Sequence, residues 1–395
     1  EILSGLVGSE MCIRDRYMSE VEMKKLLFIF GTRPEFIKVY PVIQEAKRQG
    51  NPIVLVNTGQ HKEMLNELLD EFSVEVDYDL KIMEKYSGLS EIVAGSISGL
   101  DPIIKKEQPD VILVHGDTAA TLAGSLVAYF NQIKLAHIEA GLRTYNKFSP
   151  FPEEMNRQIV GLMADYHFTP TKMTKENLLK EGKPKNQIFV VGNSAIDMFQ
   201  YTLKGDYTNE ALSWQADKKM ILVTAHRREN LSDLEEIFEG IAEIADEFKE
   251  THKIIYPIHM NPIIREKAQK LLQHSNIKII DPLDTINFHN VMRHAELILT
   301  DSGGIQEEAA FLGIPVLVLR DTTERPEGIL AGTLKLVGTS KENIVNETRT
   351  LLTDKTKYER MSGSKNPYGD GTTSLQIINI PVSYTHLTLP TICSV

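Results

Sequence analysis

The stretch with the most chemistry in it is Thr300-Asp301-Ser302-Gly303-Gly304-Ile305-Gln306-Glu307-Glu308-Ala309. It follows the apolar run Leu297-Ile298-Leu299 and precedes a second run at 315–319, the pattern of a βαβ unit. Ser302 falls where the helix N-cap is expected. Gly303 and Gly304 would let a ligand approach bare backbone N–H groups at the helix start, a ready anion site. Gly304 and Glu308 share a helix face. A phosphate at this N-terminus would leave Glu308 one turn further in, able to accept hydrogen bonds from a ribose diol. The same residues also read as a glycine-rich turn followed by an acidic helical turn, and this stretch alone leaves both open.

Three carboxylates form a second set. Asp117 and Glu139 each follow a predicted strand, and Glu153 follows Pro150-Phe151-Pro152 at a helix start. Convergence of all three would separate their pKa values and supply a base and an acid. For Glu153 a favourable charge at a helix N-terminus is an equally good explanation. Arg33 and Lys38 follow the first strand. Cations at a helix N-terminus oppose its dipole, which favours a bound anion there. His226-Arg227-Arg228-Glu229 ends another strand, and a histidine or arginine there can neutralise a leaving diphosphate or serve only as a surface cation. His115 and His137 sit inside strands and read as core histidines. No spacing resembles a metal site, no G-x-S-x-G occurs, and no cysteine is placed for catalysis.

These residues need elements to position them. Strands are predicted at 26–30, 52–57, 111–115, 134–138, 166–169 and 188–191, then at 219–224, 253–256, 277–280, 297–300 and 315–319, with helices between. Such alternation predicts parallel sheets. We expect an α/β protein of two doubly wound, Rossmann-like domains facing a cleft, over 23–192 and 193–380. Ligands of such sheets bind at the carboxyl ends of strands. Arg33, Gln60, Asp117, Glu139, His226, His259 and Ser302 all fall there.

Composition agrees with a two-domain globular protein: 395 residues, 42% apolar and 25% charged. A net charge of −11 argues against nucleic-acid or anionic-membrane surfaces and leaves room for a small anionic substrate. No apolar run reaches membrane-spanning length. The only cysteines, Cys12 and Cys393, lie near the ends, so a reducing, cytoplasmic setting is expected. Segments 1–22 and 381–395 read as non-native sequence joined to a chain that begins at Met23, and they are left out of the fold argument.

The motifs GTRPEFIKVYPVI, HGDT, HIEAGLRT, SPFPEEMNRQ, AHRREN, TDSGGIQEEA, RDTTERPEG and NPYGDG, in this order, resemble the bacterial non-hydrolysing UDP-N-acetylglucosamine 2-epimerases. The resemblance implies a glycosyltransferase-B-type fold whose last helix crosses back to the first domain and is here cut short. It implies a homodimer acting on a UDP-sugar without metal or nicotinamide. It also implies a reaction: a base takes the C2 proton while UDP leaves C1, and UDP re-adds to 2-acetamidoglucal with a proton delivered to the opposite face. Carried over, Asp117, Glu139 and Glu153 are the acid–base residues and His226 assists UDP departure. Arg33, Lys38, His259, Ser302, Gly303, Gly304 and Arg325 would bind phosphates or sugar, Glu308 the ribose, and Phe288 the uracil. Many members bind a second UDP-N-acetylglucosamine as activator, for which Gln60 and Arg227 are candidates. Tyr86 stands where some members carry arginine. The competing functions are a hydrolysing epimerase, a UDP-sugar glycosyltransferase and a non-catalytic nucleotide-sugar sensor.

Overall fold

The computed structural model of the protein describes residues 23–60, 62–323 and 325–383. Segment 1–22, residues 384–395, Cys12 and Cys393 lie outside the described residues. The chain forms two compact units. One comprises the chain up to Phe168, Lys183–Phe189 and the chain from Leu375; the other comprises Thr169–Gly182 and Val190–Ser374.

The first unit is built on a seven-stranded sheet: β1 (Leu26–Phe30), β2 (Ile53–Asn57), β3 (Tyr78–Asp79), β4 (Val111–His115), β5 (Lys134–Ile138), β6 (Tyr166–Thr169) and β7 (Ile188–Val190). Their spatial order is β3-β2-β1-β4-β5-β6-β7. β1 pairs parallel with both β2 and β4. The strand LLFIF is fully buried, as expected of a central parallel strand covered on both faces. The order reverses between β1 and β4, so the carboxyl ends of these two strands form the crevice where such sheets bind ligands. The helix Arg33–Arg48 starts there. Thr32 caps it, Glu35 completes the capping box, Pro34 preorganises its first turn, and Lys47 and Arg48 suit its last. Glu35 also accepts from Thr118 Oγ1 at 2.6 Å, which ties the end of β1 to the end of β4.

The second unit holds a six-stranded sheet: β8 (Lys219–Thr224), β9 (His252–Pro257), β10 (Ile277–Ile280), β11 (Ala295–Thr300), β12 (Val316–Val318) and β13 (Leu334–Leu336). The order β10-β9-β8-β11-β12-β13 places its reversal between β8 and β11. The strands pair in parallel, as the alternation predicts. Strands β3 and β13 were not foreseen. They are two and three residues long, too short to carry a period-2 signal. The last helix spans Thr373–Ser383, and Asn379 on it accepts from Gln49 Nε2 at 2.9 Å within the first unit.

β5 and β6 place His137 opposite His167. His167 is fully buried, and neither ring nitrogen has a hydrogen-bond partner among the described residues. Burial holds it down from 6.5 to about 3. From about pH 6.5 downward the unfolded chain therefore takes up this proton first, and stability falls by about 1.4 kcal/mol per pH unit until the folded ring titrates. Glu35, Asp117 and Asp197, which burial raises, act in the opposite sense. His167→Phe isolates the histidine. It should stabilise the protein by roughly 1–3 kcal/mol by removing two orphaned polar atoms, with a larger gain at pH 5 than at pH 7. Urea midpoints at both pH values decide; a variant less stable at each would mean that the ring nitrogens are satisfied.

Candidate active site

In the first unit, the chain leaves β4 through Gly116, whose φ of +68° turns it sharply, into Asp117 and Thr118. His137 Nε2 donates to Gly116 O at 2.7 Å and fixes that turn. Thr118 then caps the helix Ala119–Phe130. Asp117 Oδ2 receives Arg157 Nε at 2.7 Å, and its backbone carbonyl receives Asn156 Nδ2 at 2.8 Å. Burial raises the Asp117 carboxyl; Arg157 opposes this, and the charges of Glu139 and Glu153 push it further up. The three carboxylates are thus electrostatic neighbours, which brings together the set singled out in the sequence.

Glu139 follows β5 with φ +63°, a left-handed conformation uncommon for a residue with a Cβ. Its Oε1 accepts from Lys38 Nζ, and its Oε2 lies 3.7 Å from His115 Nε2. Glu153 opens the helix Glu153–Met163, and its Oε2 is buried with no partner among the described residues. The adjacent Glu154 is different: fully buried, it accepts the N–H groups of Thr144 and Tyr145, both at 3.0 Å, and fixes the loop before the helix. Arg33 is half-buried at the start of its helix. Gln60 lies beside Gly31, where a Cβ would stand 3.3 Å from Gln60 Cβ and 2.1 Å from Thr58 Oγ1, so a larger residue there would force Thr58 to shift.

In the second unit the corresponding crevice joins His226, after β8, to the segment after β11. Asp301 is fully buried, and its Oδ2 accepts the N–H groups of His226 and Arg227, each at 2.8 Å, and Asn230 Nδ2 at 3.2 Å. Its Oδ1 lies 3.6 Å from His226 Nδ1. Burial lowers the His226 pKa, Asp301 opposes that shift, and His259 and Arg227 add to it. The rings of His226 and His259 stack at 5.6 Å.

Ser302 occupies the N-cap position of the helix Gly303–Phe311, but its side chain makes no capping bond. Its own N–H donates to Thr300 Oγ1 at 2.9 Å. The helix N-terminus is therefore left to an external acceptor. A Cβ on Gly303 would stand 3.7 Å from Arg227 Nη2, and one on Gly304 4.0 Å from Glu308 Oε1, so both glycines leave an open cradle between a cation and a carboxylate. Arg325 Nε donates to Glu307, which also receives Asn193 Nδ2 at 2.6 Å; this ties Arg325 to the inner side of the same helix. Phe288 lies on the helix Thr285–Met292 and packs on the core. The loop leading to it, with Pro282 and Leu283, lines a cavity of about 580 Å³ together with Ile258 and Asn287. Among the described residues no His, Cys, Asp or Glu group has a metal-binding arrangement, and no helix is long and apolar enough to cross a membrane.

The family model for UDP-N-acetylglucosamine 2-epimerase matches residues 44–381. The UDP-N-acetylglucosamine 2-epimerase of Bacillus subtilis is 50% identical over 361 residues, covering 90% of this chain and 95% of that protein. The chain belongs to this family.

Solved structures agree on the fold. S. aureus MnaA in its UDP co-structure matches with TM-score 0.84 at 46% identity, covering 92% of this chain and 98% of that one. The Neisseria meningitidis UDP-GlcNAc 2-epimerase bound to UDP-GlcNAc matches with TM-score 0.81 at 42% identity, covering 91% and 99%. The two Rossmann-like domains are those of the glycosyltransferase-B-type fold. Within this epimerase-family chain, the sequence reading missed Asp301, Arg157 and Glu35 as parts of the site. Asp301 had a usable signal, since it directly follows the buried strand β11 and precedes the Ser302-Gly303-Gly304 turn. Arg157 and Glu35 lie on helix faces, and only the fold turns them inward.

Proposed function

We propose that the protein interconverts UDP-N-acetylglucosamine and UDP-N-acetylmannosamine at C2. A base removes the C2 proton. The C–H electron pair forms the C1=C2 bond of 2-acetamidoglucal as the C1–O bond breaks, and UDP leaves with the C1–O electron pair. UDP then re-adds to C1 while an acid protonates the opposite face of C2. Asp117, Glu139 and Glu153 supply base and acid. His226 stabilises the charge on departing UDP, with Arg33, Lys38, His259 and Arg325 at the phosphates or sugar. The N–H groups after Ser302, bared by Gly303 and Gly304, receive the diphosphate. Glu308 holds the ribose, and Phe288 with its preceding loop takes the uracil. The observation that carries this reading is Asp117: a half-buried carboxyl hydrogen-bonded to Arg157 and raised by desolvation and by two neighbouring carboxylates.

Incubation with UDP-N-acetylglucosamine alone should yield UDP-N-acetylmannosamine by NMR, with no added NAD or metal. Free N-acetylmannosamine plus UDP would instead identify a hydrolysing enzyme. Turnover only with an added sugar acceptor would identify a transferase, and binding without turnover a sensor. Activity abolished by EDTA and restored by Mg²⁺ would contradict the metal-free mechanism.

The setting is cytoplasmic, and the product supplies N-acetylmannosamine for cell-surface polysaccharide. A second UDP-N-acetylglucosamine acts as activator through Gln60 and Arg227, so the saturation curve is sigmoidal and Gln60→Ala makes it hyperbolic; a hyperbolic wild type rejects this. The working form is a homodimer, supported by exposed Tyr129, Phe130 and Leu162 on the first unit. A one-chain mass by light scattering rejects it.

A further inference from the structure

We propose that His289 is a positioning residue for Glu308, and that the chain Thr202–His289–Glu308 sets the preference of this site for ribose over 2′-deoxyribose nucleotides. This rests on the reading that Glu308 holds the ribose. His289 lies on the helix Thr285–Met292 and is 2% exposed. Its Nδ1 is 2.8 Å from Thr202 Oγ1, and its Nε2 is 3.7 Å from Glu308 Oε2. Its ring packs against Phe199 with centroids 4.6 Å apart.

A neutral imidazole has one N–H, and an ionised carboxylate can only accept. Glu308 therefore selects the tautomer with hydrogen on Nε2, which makes Nδ1 an acceptor. Thr202 has one hydroxyl hydrogen and two acceptors in reach, Met198 O at 3.1 Å and His289 Nδ1 at 2.8 Å. With Nδ1 accepting, the hydrogen turns to the nearer atom. Thr202 is fully buried, so ring and hydroxyl are fixed from behind. At 3.7 Å the Nε2–Oε2 pair is an electrostatic contact, longer than a hydrogen bond, that holds this carboxylate oxygen toward the ring. The other oxygen, Oε1, faces the helix N-terminus, 4.0 Å from where a Gly304 Cβ would stand. One oxygen is thus oriented by the protein and the other is presented to the ligand. A carboxylate left to rotate would lose part of its hold on two adjacent hydroxyls.

The test is calorimetric titration of the full chain with UDP and with 2′-deoxy-UDP. His289→Phe keeps the ring against Phe199 and removes the N–H. It should weaken UDP about three- to tenfold, the effect of one ordinary polar contact, and change deoxy-UDP little. KM for the UDP-sugar should rise more than kcat falls. In a Glu308→Gln background, His289→Phe should add no further loss. Thr202→Val, remote from the nucleotide, should give the same change in smaller measure and carries the test if His289→Phe does not fold. The inference is overturned if Glu308→Gln shifts the UDP to deoxy-UDP ratio but neither His289→Phe nor Thr202→Val does, or if the effects of His289→Phe and Glu308→Gln simply add. If Glu308→Gln leaves the ratio unchanged, the ribose assignment itself fails and the inference with it.

Discussion

Asp117→Asn, Glu139→Gln and Glu153→Gln are each expected to lower kcat by roughly 10²–10⁴-fold, the usual worth of a proton-transfer group. Each change keeps the shape and removes the titratable group. UDP affinity should change far less, because the diphosphate is assigned to Arg33 and to the helix N-terminus at Ser302, Gly303 and Gly304. Exchange of the C2 hydrogen in D₂O gives the direct readout and should fall in step with turnover. Glu139→Gln also loses the ion pair with Lys38, and a matching Lys38→Met variant separates that loss from proton transfer. Glu154→Gln is the informative contrast: it alters a loop-fixing carboxylate, so it should act on stability before chemistry. Near-normal exchange in Asp117→Asn and Glu153→Gln would mean that those carboxylates are caps or supports.

Much of this site could be read from strand ends. Apolar runs are a strong signal for buried parallel strands, and a polar residue directly after one has few places to go other than the ligand face. Asp117, Glu139, His226 and Ser302 are candidates on that ground. What stayed hidden depends on side-chain direction. Glu153 and Glu154 are neighbours of one type in PFPEEMN, yet one leaves an oxygen unpartnered and the other is a buried cap. Nothing in the spacing separates them. Ser302 has the residue type of an N-cap, yet its side chain makes no capping bond, and its own N–H goes to Thr300 Oγ1. The left-handed backbone at Glu139 is invisible because the residue is not glycine. Pro41 and Pro102, which ordinarily end helices, lie inside helices that continue through them. Pro41 is itself buried, and beside the exposed Pro102 the buried Leu100, Ile103 and Ile104 hold the helix to the core, so tertiary packing outweighs local propensity.

Asp301→Asn should lower kcat about 10²-fold at neutral pH and move the alkaline limb of the pH–rate profile to lower pH. In the wild type, Asp301 Oδ2 holds the N–H groups of His226 and Arg227, while Oδ1 faces His226 Nδ1 at 3.6 Å. Asparagine can keep the first function, since its carbonyl oxygen accepts both N–H groups. It cannot keep the second. The amide would present hydrogens to Nδ1, forcing that nitrogen to accept and moving the ring proton to Nε2. The variant also removes the one nearby negative charge that opposes burial in setting the His226 pKa; His259 and Arg227 both push the same way as burial. The folded pKa therefore drops further below 6.5. If His226 must be protonated to stabilise departing UDP, the active fraction at a given pH shrinks, and the rate declines at a lower pH than in the wild type. UDP binding by calorimetry separates this from collapse of the loop, because a loop released from Asp301 would leave its place beside Gly303, disturb the diphosphate cradle and weaken UDP as well. A variant with the wild-type alkaline limb and kcat within about twofold would make Asp301 a scaffold residue only and remove His226 from the chemistry of UDP departure.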